Sequence, residues 1–467
     1  MEDRIMKNTN KVILACIIAS SYVGSMFGQT SNSGYFNEGY LYRYEMNPAF
    51  AGERSFFSMP ALGNINVAMR SNVGVETFLY NIDGKTTTFM NPKVGTSEFL
   101  DGIKDKNRVN EEMKLNVLSI GFKGIGGYNT IGINVRERAS LNLPGELFRL
   151  AKQGPENRTY DISDLGAQAV GYGEVGLGHS HQLNKHLRIG ATLKVLLGLG
   201  QVDAEFDKAQ LTLGENSFNA ITNAEVNASV KGLEYETEMK ERGPKGQATQ
   251  HTYVNDVDID NVGLNGTGFA VDLGVEYRIN DDWNLSASLL DLGSISWKET
   301  HQASTNGDRE FQTDKYIFNF DDDAYHSFEN EADRLTEGLA SLYELQDNGN
   351  VGKRSTGLGA TLNLGVQYTL HSYRNLSFGF LSTTRMNGAY SWNEERLSAN
   401  WKSKIFSATA DVAIGTFGAS FGWLLDFHPT GFGLFVGMDH TIGDLAKQGV
   451  PLSGNGHVNV GVNFPLK

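Results

Sequence analysis

The chain has one cysteine, nine prolines and, beyond its first 29 residues, no apolar run of the length a membrane helix requires. Cys16 lies inside that N-terminal stretch, so the remaining chain has neither disulfides nor thiolate chemistry to draw on. Basic residues are also short, 40 Lys and Arg against 54 Asp and Glu for a net charge of -14, which excludes the cationic footprint of a nucleic-acid binder. Hydrophobic residues make up 40 %, low for a water-soluble core in a chain of 467 residues. Without a spanning helix, only a closed barrel satisfies every backbone polar group inside a bilayer.

Glycine and aromatics are abundant, at 54 residues and 10 %. Residues 1–29 have the form of a signal peptide, with Lys7 and Lys11 ahead of an apolar run from Val12 to Phe27 and small residues near Gly28. Leu14-Ala15-Cys16 faintly resembles a lipobox, but the apolar stretch before the cysteine is too short for that reading.

Strict alternation dominates the rest of the chain. From His186 to Gly200 the odd positions Leu187, Ile189, Ala191, Leu193, Val195, Leu197 and Leu199 are apolar, while the even ones include Arg188, Gly190, Thr192, Lys194 and Gly198. Val271, Leu273, Val275, Tyr277 and Ile279 alternate with Asp272, Gly274, Glu276 and Arg278, and Leu362 to Leu370 repeats the pattern. Phe406 to Ile414, Phe417 to Leu425, Phe432 to Met438 and Val458 to Phe464 carry it to the end. A soluble sandwich also alternates, but in shorter strands; these apolar faces last as long as a tilted strand needs to cross hydrocarbon.

The pattern gives about fourteen strands, near 62–71, 113–123, 127–139, 169–182, 186–202, 266–280, 283–298, 355–371, 374–384, 389–401, 404–414, 416–427, 430–439 and 454–466. The expected fold is all-β, a single transmembrane antiparallel barrel over 62–467, preceded by a 30–61 segment that is either periplasmic or a plug. Links alternate short and long, with the short ones at 124–126, 184–185, 280–282, 372–373 and 402–403. The long ones, 72–112, 140–168, 203–265 and 299–354, then share the extracellular side. Tyr277, Trp283, Trp392, Trp401 and Trp423 suit interfacial girdles. Asp322 to Leu345 has the spacing of a short amphipathic helix, Pro144 to Leu150 that of a shorter one, and Gln201 to Tyr235 suits strands continuing beyond the membrane.

Several motifs tempt toward other functions. Gly171 to Gly176 fits G-x-G-x-x-G, yet the alternation runs on through His181 where a nucleotide fold needs a helix. Gly418 to Gly422 fits G-x-S-x-G, but no helix follows Ser420. Asp256, Asp258 and Asp260 open like a calcium loop, which Asn261 and Thr267 then break; a looser site with Asp321 to Asp323 is the alternative to a solvated acidic loop. His179 and His181 share an outward parity near the periplasmic interface. No catalytic residue, cofactor or metal is expected, and an enzyme inside the barrel ranks below the other readings. The candidate lumen-lining residues are Arg188, Lys194, Asp272, Glu276 and Arg278, whose opposite signs on adjacent strands suit a self-neutralising network or the lining of a pore.

Met46-Asn47-Pro48-Ala49-Phe50 and Ser58 to Val67, with Gly433 to Asp439 late in the chain, resemble a family of Bacteroidota outer-membrane barrels catalogued only as a domain of unknown function. The Asn-Pro-Ala also looks like that of long-chain fatty-acid transporter barrels and of barrels attached to the type IX secretion and gliding machinery. The resemblance implies about fourteen strands and brings no catalytic residues. The ending Phe464-Pro465-Leu466-Lys467 departs from it, lacking the terminal aromatic many barrels carry. The expectation is an outer-membrane channel or transporter for small or hydrophobic solutes. The alternative is a non-conducting scaffold holding periplasmic or surface proteins; the partners otherwise are membrane lipid, and not nucleic acid.

Overall fold

A computed structural model describes residues 31–50, 54–215, 217–242, 249–316, 328–441 and 453–466; the signal-peptide reading, and that of Asp321 to Asp323, lie outside them. Fourteen antiparallel strands close into one barrel. They are β1 (Phe56–Ser58, resuming at Ile65–Ser71), β2 (Lys106–Gly124), β3 (Gly127–Pro144), β4 (Gly166–Gln182), β5 (Leu187–Leu213), β6 (Gly266–Arg278) and β7 (Trp283–Trp297). The second half is β8 (Arg354–Gly357 and Ala360–Thr369), β9 (Leu376–Met386), β10 (Trp392–Lys402), β11 (Phe406–Gly415), β12 (Gly418–Phe427), β13 (Gly433–Met438) and β14 (Gly456–Pro465). Each strand pairs with its sequence neighbours, and β14 returns to β1 with Val458 opposite Val67 and Phe464 opposite Phe57. Closure leaves no free edge in the membrane layer.

Alternation sorts the two faces. Leu193 is 62 % exposed and Lys194 beside it 7 %, while Phe269 is 73 % exposed and Ala270 is 2 %. An apolar side chain left bare on a closed sheet is turned to lipid, and the polar one beneath it to the lumen. No helix among the described residues is long and apolar enough to cross a membrane, so the strands do the crossing.

The short links gather at one end. Ile125 and Gly126, at φ 53° and 74°, take the two left-handed positions of a type I′ hairpin turn. Asn184 and Asn280 close their turns by accepting two backbone N–H groups each through Oδ1. Around this end Trp283 packs on Tyr368 at 4.9 Å, and Trp401 donates from Nε1 to the Tyr373 hydroxyl at 3.1 Å, an aromatic girdle at the periplasmic interface. Trp392 does not join it: on even parity in β10 it points inward, 4 % exposed, with Arg70 over its ring.

The other end rises well clear of the bilayer. β5 runs 27 residues, and past Gly198 it leaves β6 to pair with Phe218–Val230. Short strands at His301–Ser304, Arg309–Gln312 and Gln346–Asn350 widen this outer sheet. Among the described residues the acidic helix runs Phe328–Ser341, ending before the Leu345 the sequence pattern suggests, and the smaller one Gly145–Gln153. The barrel is entered earlier than alternation gives, at Phe56 instead of residue 62, because residues 59–64 swing out between two paired stretches. β2 likewise starts at Lys106, its first residues being too polar to read as a membrane strand.

Candidate functional site: the lumen and its mouths

Residues 31–50 have no partner strand; instead they fold into two tight turns, Asn32–Gly34 and Leu41–Glu45, inside the barrel. Their aromatic side chains supply the cohesion. Tyr35, Phe36, Tyr40, Tyr42, Tyr44, Met46 and Phe50 pack with Phe56, Leu381, Leu424 and Phe435 from the inner wall. Edge-on contacts such as Tyr40 with Phe435 at 4.9 Å add to the apolar burial.

Polar anchors tie this segment to opposite sides of the barrel. Asp439 accepts from Ser31 Oγ at 2.6 Å and from the backbone N–H groups of Asn32 and Ser33 at 2.8 Å. Across the lumen, Asn47 Nδ2 donates to the carbonyls of Val275 and Ala287 at 3.2 and 3.3 Å, while Met46 O accepts from Ser288 Oγ at 2.6 Å and Asn363 Nδ2 at 3.1 Å. Glu45 pairs with Lys114 at 2.6 Å, both buried. Glycines in the wall make the room. A Cβ at Gly190 would stand 2.1 Å from Pro48 O, and one at Gly379 2.2 Å from the Phe36 ring.

Above this segment lies a belt of buried charge. A bulge in β7 puts Asp291 in the left-handed region at φ 58° and switches the inward parity from even to odd positions. The Asp291 carboxylate thereby meets Arg136 at 2.9 Å, Arg138 at 2.6 Å, Lys194 at 2.7 Å and Arg385 at 3.5 Å. Glu174 answers Arg136 at 2.9 Å, Asp272 answers Lys194 at 2.7 Å, and Glu112 answers Arg70 at 3.2 Å. Such a belt compensates the cost of burying its charges only while it stays complete. Beyond it Tyr172, Leu196, Ile295, Trp297 and Leu358 form an apolar cluster on the inner wall.

Little free space remains at mid-height. The void between the inner segment and the belt is about 60 Å³, room for a few waters. Below the segment, at the mouth with the short turns, opens a vestibule of about 970 Å³ lined by Arg43, Arg188, Glu276, Arg278, Lys402 and neighbours. At the outer mouth, residues from the 72–105 loop and Phe148 build a small apolar cap, in which Phe89 stacks on Phe99 at 4.2 Å. Lys152 Nζ laces the cap by donating to the carbonyls of Phe89 at 2.6 Å and Val94 at 2.8 Å.

The five sequence-derived residues fall into two places. Lys194 and Asp272 are in the belt, whereas Arg188 pairs with Glu276 at 3.4 Å in the vestibule, where Arg278 also stands. Asp291, Arg136, Arg138, Glu174 and Arg385 escaped the sequence reading. Asp291 was hidden by the bulge, although the doublet Leu289-Leu290 before it breaks the alternation and was the available signal. Gly171 to Gly176 and Ser420 sit within strands β4 and β12. His179 bonds Asn129 at 3.0 Å and lies 5.9 Å from His181; no group of three or more metal-ligating side chains occurs among the described residues. Asp256 and Asp258 lie in the external hairpin Leu233–Arg242 with Thr249–Ile259, Asp256 next to a bulge in its register.

The family described as "Family of unknown function (DUF5723)" matches residues 48–439. No curated protein matches the chain. Among solved structures, a mutant of the monoaromatic hydrocarbon channel TodX is similar over 95 % of this chain and 96 % of its own, at 9 % identity and TM-score 0.40. The Ralstonia pickettii toluene transporter TbuX aligns over 93 % and 99 % at 9 % identity and TM-score 0.39. A Pseudomonas aeruginosa FadL homologue aligns over 94 % and 98 % at 10 % identity and TM-score 0.35.

Proposed function

The chain belongs to the DUF5723 family of unknown function, and from the geometry of its lumen we propose that it is an outer-membrane transporter for a small solute, held shut by its own N-terminal segment. The observation that carries this reading is the seating of residues 31–50, anchored at Asp439 on one wall and at Val275, Ala287 and Ser288 on the other, with an open vestibule directly beneath. Seated against both walls with only a small void above it, the segment acts as a plug and must yield for transport. Leu196, Ile295 and Trp297 above the charge belt are buried against one another in this state, and on opening they would offer apolar surface to a solute with a hydrophobic part. Lys194 and Asp272 would then set which solutes pass the belt, and Arg188, Glu276 and Arg278 which leave the vestibule.

Liposome uptake tests the proposal. Vesicles carrying the full chain should admit a small aromatic solute slowly, and vesicles carrying a variant with a dislodged plug should admit it much faster. Equal, negligible uptake by both would favour the second reading, a non-conducting scaffold, whose supporting observation is the strand-built canopy around Phe218–Val230 standing outside the membrane layer.

A further inference from the structure

Charge is distributed unevenly between the two ends of the molecule. Acids exceed bases 54 to 40 over the whole chain, yet the vestibule at the short-turn mouth has the opposite balance. Its three acids are engaged, Glu38 with Lys402, Glu276 with Arg188 and Asp426 with His428. Arg43, Arg54, Lys123, Arg278 and Lys404 line the same space, and none of them makes a direct ion pair with a carboxylate among the described residues, although Glu38 feels Arg43 and Arg278, and Asp426 feels Arg54, from farther off. Arg43 is held in place by donating from Nε to Tyr35 O at 2.8 Å and by standing 4.3 Å over the Phe50 ring, which leaves its terminal nitrogens without a protein partner. A cleft lined by one sign of charge, with low-dielectric walls, concentrates ligands of the other sign.

We propose that this vestibule is a docking site for an acidic peptide segment of a periplasmic protein. The five cations come from separate parts of the mouth: the inner segment, the stretch just before β1, the residue before the first short turn, the end of β6 and the turn after β10. They ring an opening of about 970 Å³, at the upper end of what small-molecule pockets occupy. A single phosphate reaches one or two of them; an extended chain with several carboxylates reaches all. Tyr40, Phe50 and Phe56, buried in the packing of the inner segment, form the floor of the same cup, and Phe432 at its rim is exposed. The inference rests on the orientation given by the short turns, and not on whether the barrel transports.

The test is fluorescence anisotropy with the full chain in uncharged detergent, using an oligo-glutamate peptide with a neutral dye and an oligo-lysine peptide as control. The glutamate peptide should bind and the lysine peptide should not, with affinity falling as salt rises. K123E/R278E/K404E should weaken binding by about tenfold or more, since like charge replaces complementary charge. K123Q/R278Q/K404Q should weaken it less, and both variants should keep the heat-modifiable gel mobility of a folded barrel. Lys85→Glu on the external face should change nothing. Unaltered binding in the folded triple variants would overturn the proposal, as would displacement of the peptide by inorganic phosphate at concentrations too low to act through ionic strength. Neither result depends on conductance, so a silent barrel leaves this inference standing.

Discussion

Removing the Asp291 carboxylate would leave Arg136, Arg138 and Arg385 facing one another with a single shared acid fewer, in a place with room for only a few waters. Asp291→Asn is therefore expected to lower stability by about 3 kcal/mol, the usual cost of breaking a buried ion pair from one side. Urea unfolding in lipid vesicles reads this directly, and an unchanged midpoint would show the belt to be dispensable. A second residue acts by steric means. Gly190→Ala puts a methyl group 2.1 Å from Pro48 O, at a position where the wall backbone itself accepts any residue. The barrel should stay folded while its inner segment is displaced, so trypsin should cut at Arg43 in the variant and not in the parent chain. At this scale the sequence was partly legible: alternation placed Lys194, Asp272 and Glu276 on the lumen side, because parity needs only the strand. Their adjacent-strand pairing, Lys194 with Asp272 and Arg188 with Glu276, was legible too; Asp291 and its partners were not, since Arg136 and Arg385 reach it across the barrel from strands far apart in sequence.

At the scale of elements, the strands were readable to within a few residues wherever lipid demands an apolar face. The exceptions have physical causes. β5 beyond Gly198 and β2 before residue 113 stand in water and need no apolar stripe, and the β7 bulge reverses parity within one strand. The inner segment was not readable as seated, because it has neither strand nor helix periodicity and its aromatics serve a packing that only the closed barrel creates. Its attachment at the rim should depend on pH. Burial pushes the Glu38 carboxyl up, but Arg43 and Lys402 outweigh this and hold it below its ordinary 4.5. The attachment it provides is therefore full above that ordinary value and is lost as pH falls through the depressed one. Relative to the intrinsic exchange rate at each pH, the protection of residues 38–44 should fall on acidification in the parent chain, and Glu38→Gln should abolish that dependence. On the outer side, Lys152→Ala should raise exchange in residues 89–94, because three carbonyls lose a charged donor; protection equal to the parent chain would mean the cap is held by its apolar cluster alone.

The whole molecule is a tube with two unlike ends and a filled middle. Acidic, strand-built structure rises outside, a cationic vestibule opens beneath, and between them, among the described residues, the aromatic segment and the charge belt enclose a void of about 60 Å³. Each part follows from one constraint: lipid fixes the outer face, closure fixes the strand order, and a lumen of fourteen strands must be either wet or filled. The central claim is that residues 31–50 fill and shut it. Single-channel recording in planar bilayers, of the full chain beside a chain lacking residues 31–50, tests this most directly. The account predicts silence from the full chain and steady ohmic current from the deletion; steady current of similar size from both would contradict it.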